Sequence, residues 1–250
     1  MLNLPQNPKW DIARVSHSTL VNADCFNVFP FIEDKSIDAI ICDLPYGTTQ
    51  NKWDSVLPLN ELWKQYNRML KENGTIVLFS LQPFTSALIS SNYKKYKYSW
   101  YWLKNRATGV LNAKKQPLRN VEEICIFNVK QYNPQGLIEV NQPSRNSKKD
   151  YDNYGKGTCK EYVQTHTNYP TQLLKFDSVQ RTEHPTQKPL ELLEYLVKTY
   201  TNEGDTVLDN TMGSGTTNLA CLKLNRKSIG IEKEKQYYDV AVRRLSSYCG

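Results

Sequence analysis

The chain has 250 residues, 39% of them hydrophobic, and a formal net charge of +7. This length suits one α/β domain with insertions and a substantial core. The start, MLNLPQNPKW, lacks the charged end and apolar block of a signal peptide, and no apolar run reaches the length of a membrane-spanning helix. We therefore expect a soluble, cytoplasmic protein without a membrane partner.

Six cysteines and three histidines are scattered along the sequence, and no two cysteines form a C-x-x-C pair. Zinc sites and disulfide frameworks are usually recognised by closely spaced cysteine and histidine residues. The sequence therefore predicts neither a metal site nor a disulfide-stabilised fold.

Strands and helices are predicted to alternate along the chain. The predicted strands are 36–43, 75–80, 96–103, 122–129, 205–210 and 227–232. The predicted helices are 59–74, one from about residue 83, 189–204, one opening within 213–225, and 235–248. Such alternation indicates a mostly parallel sheet covered on both faces. In sheets of this kind, ligands bind beyond the carboxyl ends of the strands.

The first of these strand ends carries the sequence DLPYG. Pro45 restricts the backbone and Gly47 permits a turn, so the Asp43 carboxylate, the Leu44 carbonyl and the Tyr46 ring can be held in fixed positions. Two acceptors beside an aromatic ring suit a planar amine such as the amino group of adenine or cytosine. The same residues also suit a plain turn with a helix-capping aspartate, and this alternative stays open.

A basic and aromatic segment follows at residues 94–119, which contain no acidic residue. Cations bind phosphates and aromatic faces stack on bases, so the segment favours a nucleic acid. A half-buried strand with lysines on its solvent face is the alternative. The candidate DNA-binding cations are Lys94, Lys95, Lys97, Lys104, Arg106, Lys114, Lys115 and Arg119.

Residues 130–183 form a long polar stretch rich in Asn, Gln, Lys, Tyr and Gly. Ordered loops of this length are uncommon in compact domains. The stretch is therefore interpreted either as an inserted recognition region or as a mobile loop.

A glycine-rich turn, VLDNTMGSGTT, joins the strand at 205–210 to the next helix. Its glycines let the backbone approach a ligand, and Glu232 at the end of the next strand suits the hydroxyls of a ribose. The turn fits neither the P-loop nor the dinucleotide fingerprint. Asp209 would repel a pyrophosphate but suits a cationic ligand such as S-adenosylmethionine. A turn that only connects strand to helix is the alternative.

Three motifs together resemble a known family. DLPYG resembles the (D/N/S)-P-P-Y catalytic motif of the amino-methyltransferases of DNA, DNTMGSGTT resembles their cofactor loop, and HPTQKP (184–189) resembles the segment that usually precedes this loop. Their order is that of the β group of N6-adenine and N4-cytosine methyltransferases. The resemblance covers about 16–128 and 184–245, and three motifs in order are more specific than one. Leu44 departs from the motif's first proline, but a backbone carbonyl makes the contact there.

The resemblance implies a single Rossmann-like domain over 16–250, with a circularly permuted, mostly parallel sheet of seven strands and an inserted target-recognition region at 130–183. The catalytic residues implied are Asp43, Leu44, Pro45 and Tyr46. The residues implied to bind S-adenosylmethionine are Asp24, Ser80, Thr186, Lys188, Asp209, Thr211, Met212, Gly213, Ser214, Gly215, Thr216, Thr217 and Glu232.

The activity implied is methylation of double-stranded DNA at a specific site. An aspartate at the first catalytic position goes mostly with adenine, so N6 of adenine is expected, with N4 of cytosine as the alternative. A catalytically silent nucleic-acid-binding relative is the alternative from another class. The resemblance allows a homodimer, indicates no obligate protein partner, and suits either a small phage or prophage methylase or the modification half of a restriction pair.

Overall fold

The computed structural model describes residues 2–3, 9–47, 55–145, 161–180 and 187–249. The chain divides into two compact units. The larger unit comprises Met1–Asn133 and Gln172–Gly250, and the smaller comprises Pro134–Thr171.

The larger unit holds a sheet of nine strands in the described residues. These strands are β1 (Asp11–Val15), β2 (Ser18–Asn22), β3 (Ile37–Asp43), β4 (Leu70–Ser80), β5 (Tyr96–Thr108), β6 (Arg119–Phe127), β9 (Leu173–Lys175), β10 (Thr206–Asp209) and β11 (Lys227–Glu232). Their spatial order is β1-β2-β11-β10-β3-β4-β6-β5-β9, and only β1 and β6 run against the others. The sheet is mostly parallel, and it has two strands more than the seven expected.

Six helices accompany the sheet in the described residues. They are α1 (Cys25–Val28), α2 (Leu59–Met69), α3 (Phe84–Ser91), α4 (Leu190–Tyr200), α5 (Thr216–Lys223) and α6 (Lys235–Cys249). The apolar residues of β3 and β4 belong alternately to two buried clusters. One cluster includes side chains of α1, α2 and α3, and the other includes side chains of α4 and α5. Both faces of the sheet are therefore covered, which is why its central strands are almost wholly apolar.

Helix α2 ends five residues before the predicted boundary at Gly74. Leu70 is buried and pairs with Ile37, so the chain turns directly into β4. The register shifts between Ile37 and Ala39 at this point. A Cβ at Gly74 would lie 2.6 Å from the Leu70 side chain and 2.8 Å from the Asp38 carbonyl oxygen. The glycine therefore serves close packing at this irregularity of the strand rather than the end of a helix.

The smaller unit contains two antiparallel strands, β7 (Ile138–Arg145) and β8 (Glu161–Thr167). Asn168 Nδ2 donates a hydrogen bond of 2.6 Å to the carbonyl oxygen of Gly136 at the open end of this pair. Part of the polar stretch at 130–183 is thus regular secondary structure. Across the described ranges, no helix combines the length and the apolarity needed to cross a membrane.

Candidate active site

Three carboxylates meet at one edge of the sheet because neighbouring parallel strands end there. Asp43 is the last residue of β3, Asp209 of β10 and Glu232 of β11. All three line a cavity of about 590 Å³ in the larger unit. The helix N-terminus of α5 opens on the same wall through Thr216 and Thr217. This is the carboxyl edge at which ligands bind in open α/β sheets.

Asp43 is paired on both carboxylate oxygens. The Tyr46 hydroxyl lies 2.6 Å from Oδ1, and Lys188 Nζ lies 2.5 Å from Oδ2. Burial raises the pKa of Asp43 above its usual value, and the Lys188 ammonium acts in the opposite direction. Without that ammonium, a charged carboxylate at this depth would be strongly disfavoured.

Glu122 of β6, which belongs to none of the sequence motifs, completes this cluster. Its Oε1 lies 3.0 Å from Lys188 Nζ and 3.0 Å from the Tyr46 hydroxyl, and its Oε2 lies 2.5 Å from Lys104 Nζ. Burial alone would raise the pKa of Glu122, but the two ammonium groups outweigh burial and lower it to about 2. Burial would lower the pKa of Lys188, but Asp43 and Glu122 raise it above its usual value. The pair of carboxylates therefore shares one buried lysine.

The catalytic-motif residues are held by contacts on several sides. The Thr211 hydroxyl donates a hydrogen bond of 3.0 Å to the backbone carbonyl of Asp43, which ties the β3 end to the loop after β10. The Tyr46 ring stacks on Phe84 with centroids 5.5 Å apart. Leu44 is buried in the core, and Pro45 lines the cavity beside it. The two loops and the aromatic ring are therefore positioned before any ligand binds.

The loop after β10 follows a left-handed path at two glycines. Gly213 has φ +52° and Gly215 has φ +74°, a region that glycine enters without strain. The Gly213 amide donates to Glu232 Oε2 at 2.9 Å, and the Glu234 amide donates to Glu232 Oε1 at 2.8 Å. The Glu232 carboxylate is thus fixed in direction while lining the cavity, and burial raises its pKa.

Arg244 of α6 holds the other side of this loop. Its Nη1 lies 2.6 Å from the Ser214 carbonyl oxygen, 2.9 Å from the Ser214 hydroxyl and 3.1 Å from the Thr216 hydroxyl. A Cβ at Gly215 would lie 2.8 Å from the Ala241 side chain, so Gly215 permits close contact with α6. Gly215 is therefore a packing residue, and it does not line the cavity, unlike the residues on either side of it.

Asp209 differs from Asp43 in lacking a cation. It is only 4% exposed, accepts a hydrogen bond of 3.2 Å from the Thr211 amide, and has no ion pair among the described residues. Burial raises its pKa to about 7, against the opposing effect of the Thr217 hydroxyl. A buried carboxylate of this kind on a cavity wall can hold a cationic ligand, which would supply the missing charge. The chemistry of this wall therefore fits the sulfonium and ammonium groups of S-adenosylmethionine.

Residues 37–243 match a family model described as DNA methylase. The match runs from the start of β3 into α6, and therefore includes both the Asp43 and the Asp209 strands. The chain belongs to the N6-adenine and N4-cytosine DNA methylase family.

Individual methylases resemble the chain over most of its length. It is 29% identical over 243 residues to the type II methyltransferase M.HpaI of Haemophilus parainfluenzae, covering 91% of this chain and 74% of that protein. It is 27% identical over 247 residues to the DNA adenine methyltransferase YhdJ of Escherichia coli K12, covering 91% and 82%. The crystal structure of the M1.HpyAVI–SAM complex is 28% identical with a TM-score of 0.62, covering 91% and 99%. The methylase therefore uses S-adenosylmethionine as its cofactor.

The other residues that were predicted to bind the cofactor do not all line the cavity beside the cofactor loop. Asp24 lines the cavity, and its Oδ1 also caps α1 by accepting from the Phe26 amide at 2.9 Å. Ser80 is fully buried against Thr85 and does not line the cavity. Lys188 pairs with the Asp43 side of the cavity rather than with the cofactor loop. Thr186 lies outside the described residues.

The eight predicted DNA-binding cations of the methylase do not form one surface. Strand β5 is 13 residues long and runs parallel to β3, so Lys94, Lys95 and Lys97 lie at the edge opposite the cavity. Trp102 is the first β5 residue that lines the cavity, and at about 3.3 Å per residue Lys97 lies roughly 17 Å before it along the strand. Lys104 is bound to Glu122 and mostly buried. The other four, Arg106, Lys114, Lys115 and Arg119, are exposed near the cavity end.

Proposed function

We propose that the chain methylates DNA at the exocyclic N6 amino group of adenine. The observation that carries this proposal is the pair of carboxylates on neighbouring strands, Asp43 with its acceptor groups and Asp209 without a cation, on the wall of one cavity. One end of the cavity suits an amine, and the other suits a positively charged methyl donor. A methyl transfer needs both within one enclosure, in line with each other.

S-adenosylmethionine supplies, when bound, a methyl group activated by an adjacent sulfonium. Asp209 would face the cationic part of the cofactor, and the fixed Glu232 carboxylate would accept from the ribose hydroxyls. The left-handed backbone at Gly213 keeps side-chain bulk away from the cavity wall. Met212 and Thr217 line the same wall.

The acceptor residues would act on the target amine. One amine N–H would donate to Asp43 and the other to the Leu44 carbonyl, while the base packs against Tyr46. The nitrogen would gain a bond to the methyl carbon as the carbon–sulfur bond of the donor breaks, and the Asp43 carboxylate would stabilise the positive charge that develops on the nitrogen. The methylated nitrogen would then lose a proton to solvent, which restores the neutral amine.

The amine would compete with Lys188 for this contact, because Lys188 Nζ lies 2.5 Å from Asp43 Oδ2. Glu122 Oε1 lies 3.0 Å from the same ammonium and can keep it paired when Asp43 turns to the amine. We therefore assign Glu122 as a positioning residue that receives Lys188 during substrate binding. Such a transfer avoids leaving a buried ammonium without a counter-ion.

Adenine is favoured over cytosine because Asp43 occupies the first motif position, and a named adenine methyltransferase is among the relatives. Either base would have to leave the helix, since its amino group is shielded from in-line attack within the stack. N4 of cytosine is the competing assignment, and the experiment below separates the two.

We further propose that the domain predicted over 16–250 also includes β1 (Asp11–Val15), which pairs with β2 in the same sheet, and that the inserted region 130–183 recognises the target sequence. The polarity of this region and the compact unit within it support the assignment. Exchanging the region for that of a relative with a known site should transfer that relative's specificity. Unchanged specificity would contradict the assignment.

The function is tested by expressing the chain and its Asp43→Ala variant in a bacterium that lacks DNA methylation. Single-molecule sequencing of the DNA should show N6-methyladenine in one short motif with the unchanged chain and none with the variant. N4-methylcytosine would move the assignment to cytosine. Unmodified DNA from a folded chain that binds S-adenosylmethionine would contradict the proposal and favour a silent binder.

A further inference from the structure

The connection between β5 and β6 projects from the cavity rim as an exposed arm, defined here as residues 105–119. Every residue of the arm is exposed except Gly109, which is half-buried. Gly109 has φ +92° and starts a single 3-10 turn, Val110–Asn112, at the tip. The relative exposure of Val110 is 70%, and that of Leu111 is 101%. This turn, called the tip of the arm, therefore carries an apolar pair that is largely in contact with solvent.

The base of the arm belongs to the cavity. Thr108 at the end of β5 pairs with Arg119 at the start of β6, and both residues line the cavity that contains Asp43. Only ten residues separate them, so the tip cannot reach far from this rim. A nucleotide entering the cavity would therefore pass close to the arm.

The charge on the arm indicates what it contacts. It carries four cations, Arg106, Lys114, Lys115 and Arg119, and no acidic residue. None of the four makes an ion pair with another described residue. A protein or a second copy of this chain would need acidic groups to match these cations, whereas a phosphate backbone supplies them at regular spacing. Cations precede and follow the apolar tip in the sequence, and they suit binding to a polyanion on both sides of the tip.

We propose that Leu111, supported by Val110, is a wedge that enters the DNA base stack next to the target nucleotide while the four cations contact neighbouring phosphates. This inference rests on the proposed function. Apolar side chains inserted between base steps unstack them, and an extruded base leaves a gap that such a side chain can fill. The wedge would thus lower the barrier to moving the target base from the helix into the cavity.

The test compares two duplexes that carry the methylation motif found by sequencing. In one, the target base is correctly paired, and in the other it faces an abasic site and is already unpaired. The Val110→Ser/Leu111→Ser variant should methylate the paired duplex at least tenfold more slowly than the unchanged chain. It should methylate the abasic duplex within about twofold of the unchanged chain, because no pairing or cross-strand stacking then resists extrusion.

Leu118→Ser is the matched control, since it changes an exposed leucine of the same arm away from the tip. It should leave both rates within about twofold. A fluorescent 2-aminopurine at the target position should brighten on binding the unchanged chain and much less on binding the tip variant.

Three other outcomes would overturn the wedge. Equal slowing on both duplexes would assign the tip to general DNA binding. No slowing on either would leave it without a role in extrusion. Unchanged DNA kinetics together with a shift from dimer to monomer in sedimentation would assign the tip to a second copy of the chain. If the unchanged chain methylates neither duplex, the proposed function itself has failed.

Discussion

Asp43 and Asp209 occupy equivalent places on neighbouring parallel strands, yet their surroundings are opposite. Asp43 ends β3 with a lysine on one oxygen and a tyrosine hydroxyl on the other. Asp209 ends β10 with a backbone amide and no ion pair among the described residues. Asp209 is buried and Asp43 is half-buried, and burial raises the pKa of each. The protein therefore supplies a cation at one strand end and none at the other.

This difference indicates that the two halves of the cavity bind ligands of different charge. The acceptor half is the part of the cavity that contains Asp43. When a neutral amine replaces Lys188 at Asp43, the Lys188 ammonium stays paired with Glu122, and the net charge of this half is unchanged. The cofactor half is the part that contains Asp209, which has no ion pair among the described residues. A cationic ligand would supply the counter-charge for this carboxylate. Charges that are paired before binding contribute to positioning, whereas an unpaired buried carboxylate contributes to affinity and selects the ligand.

Removing the acceptor carboxylate is the most damaging change expected. Asp43→Ala should lower kcat by about a thousandfold, because a buried acceptor that stabilises developing charge is lost. Asp43→Asn keeps one carbonyl acceptor of the same shape and should lose less. Radiolabelled methyl transfer at saturating cofactor measures both. Cofactor affinity, measured by calorimetry, should stay within about threefold, and an equal loss of affinity and kcat would show that the two halves are not separate.

Breaking the partnership of Glu122 and Lys188 should have the next largest effect. Glu122→Gln leaves Asp43 as the only carboxylate partner of Lys188, so the amine competes less well. The value of kcat/KM for DNA should fall about thirtyfold, which corresponds to about 2 kcal/mol. Adding Lys188→Met should restore part of this loss, because the competitor is then absent. Unaltered kcat/KM in Glu122→Gln would contradict the positioning role.

A pH profile separates this role from a merely structural one. With Lys188→Met alone, only the Tyr46 hydroxyl still opposes the effect of burial on Asp43, so the pKa of Asp43 should rise further and the activity profile should shift to higher pH. Lys71→Met is the matched control, since Lys71 pairs with Asp38 at a solvent-exposed site away from the cavity. Its pH profile should not move.

The sequence predicted those parts of the site that follow a buried strand directly. Asp43, Asp209 and Glu232 each end an apolar run, so their meeting at one edge follows from parallel strand order. Glu122 lies in the first half of β6, and only the antiparallel direction of β6 brings that part of the strand to the same edge. A signal was nevertheless present, because Glu122 shares its sheet face with the buried Ile124 and Ile126. An acidic residue at a core position is a candidate for a buried ion pair.

Other features depend on tertiary packing that no local pattern carries. Arg244 lies 30 residues from Ser214 and reaches it only because α6 packs on the cofactor loop. The acid-free run over 94–119 does not fold into one basic surface, because β5 separates its two ends along the sheet. The sequence shows how many charges this segment carries, but the direction of β5 determines where each charge lies.

The affinity of the cofactor half for S-adenosylmethionine should depend on pH. In the free protein Asp209 has a pKa of about 7, so it is largely neutral below that value. A cationic ligand favours the ionised form, and binding below about pH 7 must therefore release a proton. Affinity for S-adenosylmethionine should rise about tenfold from pH 6 to pH 8 and level off above. Calorimetry across this range measures it, with Asp209→Asn expected to bind more weakly and with a flat profile. A flat profile for the unchanged chain would contradict the assignment.

The smallest effect is expected at Ser80, which tests where the cofactor half ends. Ser80→Ala removes a hydroxyl that is fully buried 3.1 Å from Thr85 Oγ1 and 3.3 Å from Cys125 Sγ. Loss of these two contacts should destabilise the fold by about 1 kcal/mol, visible as a lower Tm. Cofactor affinity should stay within about twofold, because the hydroxyl does not line the cavity. A tenfold loss of affinity would instead extend the cofactor half past the end of β4, and would mean that binding opens this wall.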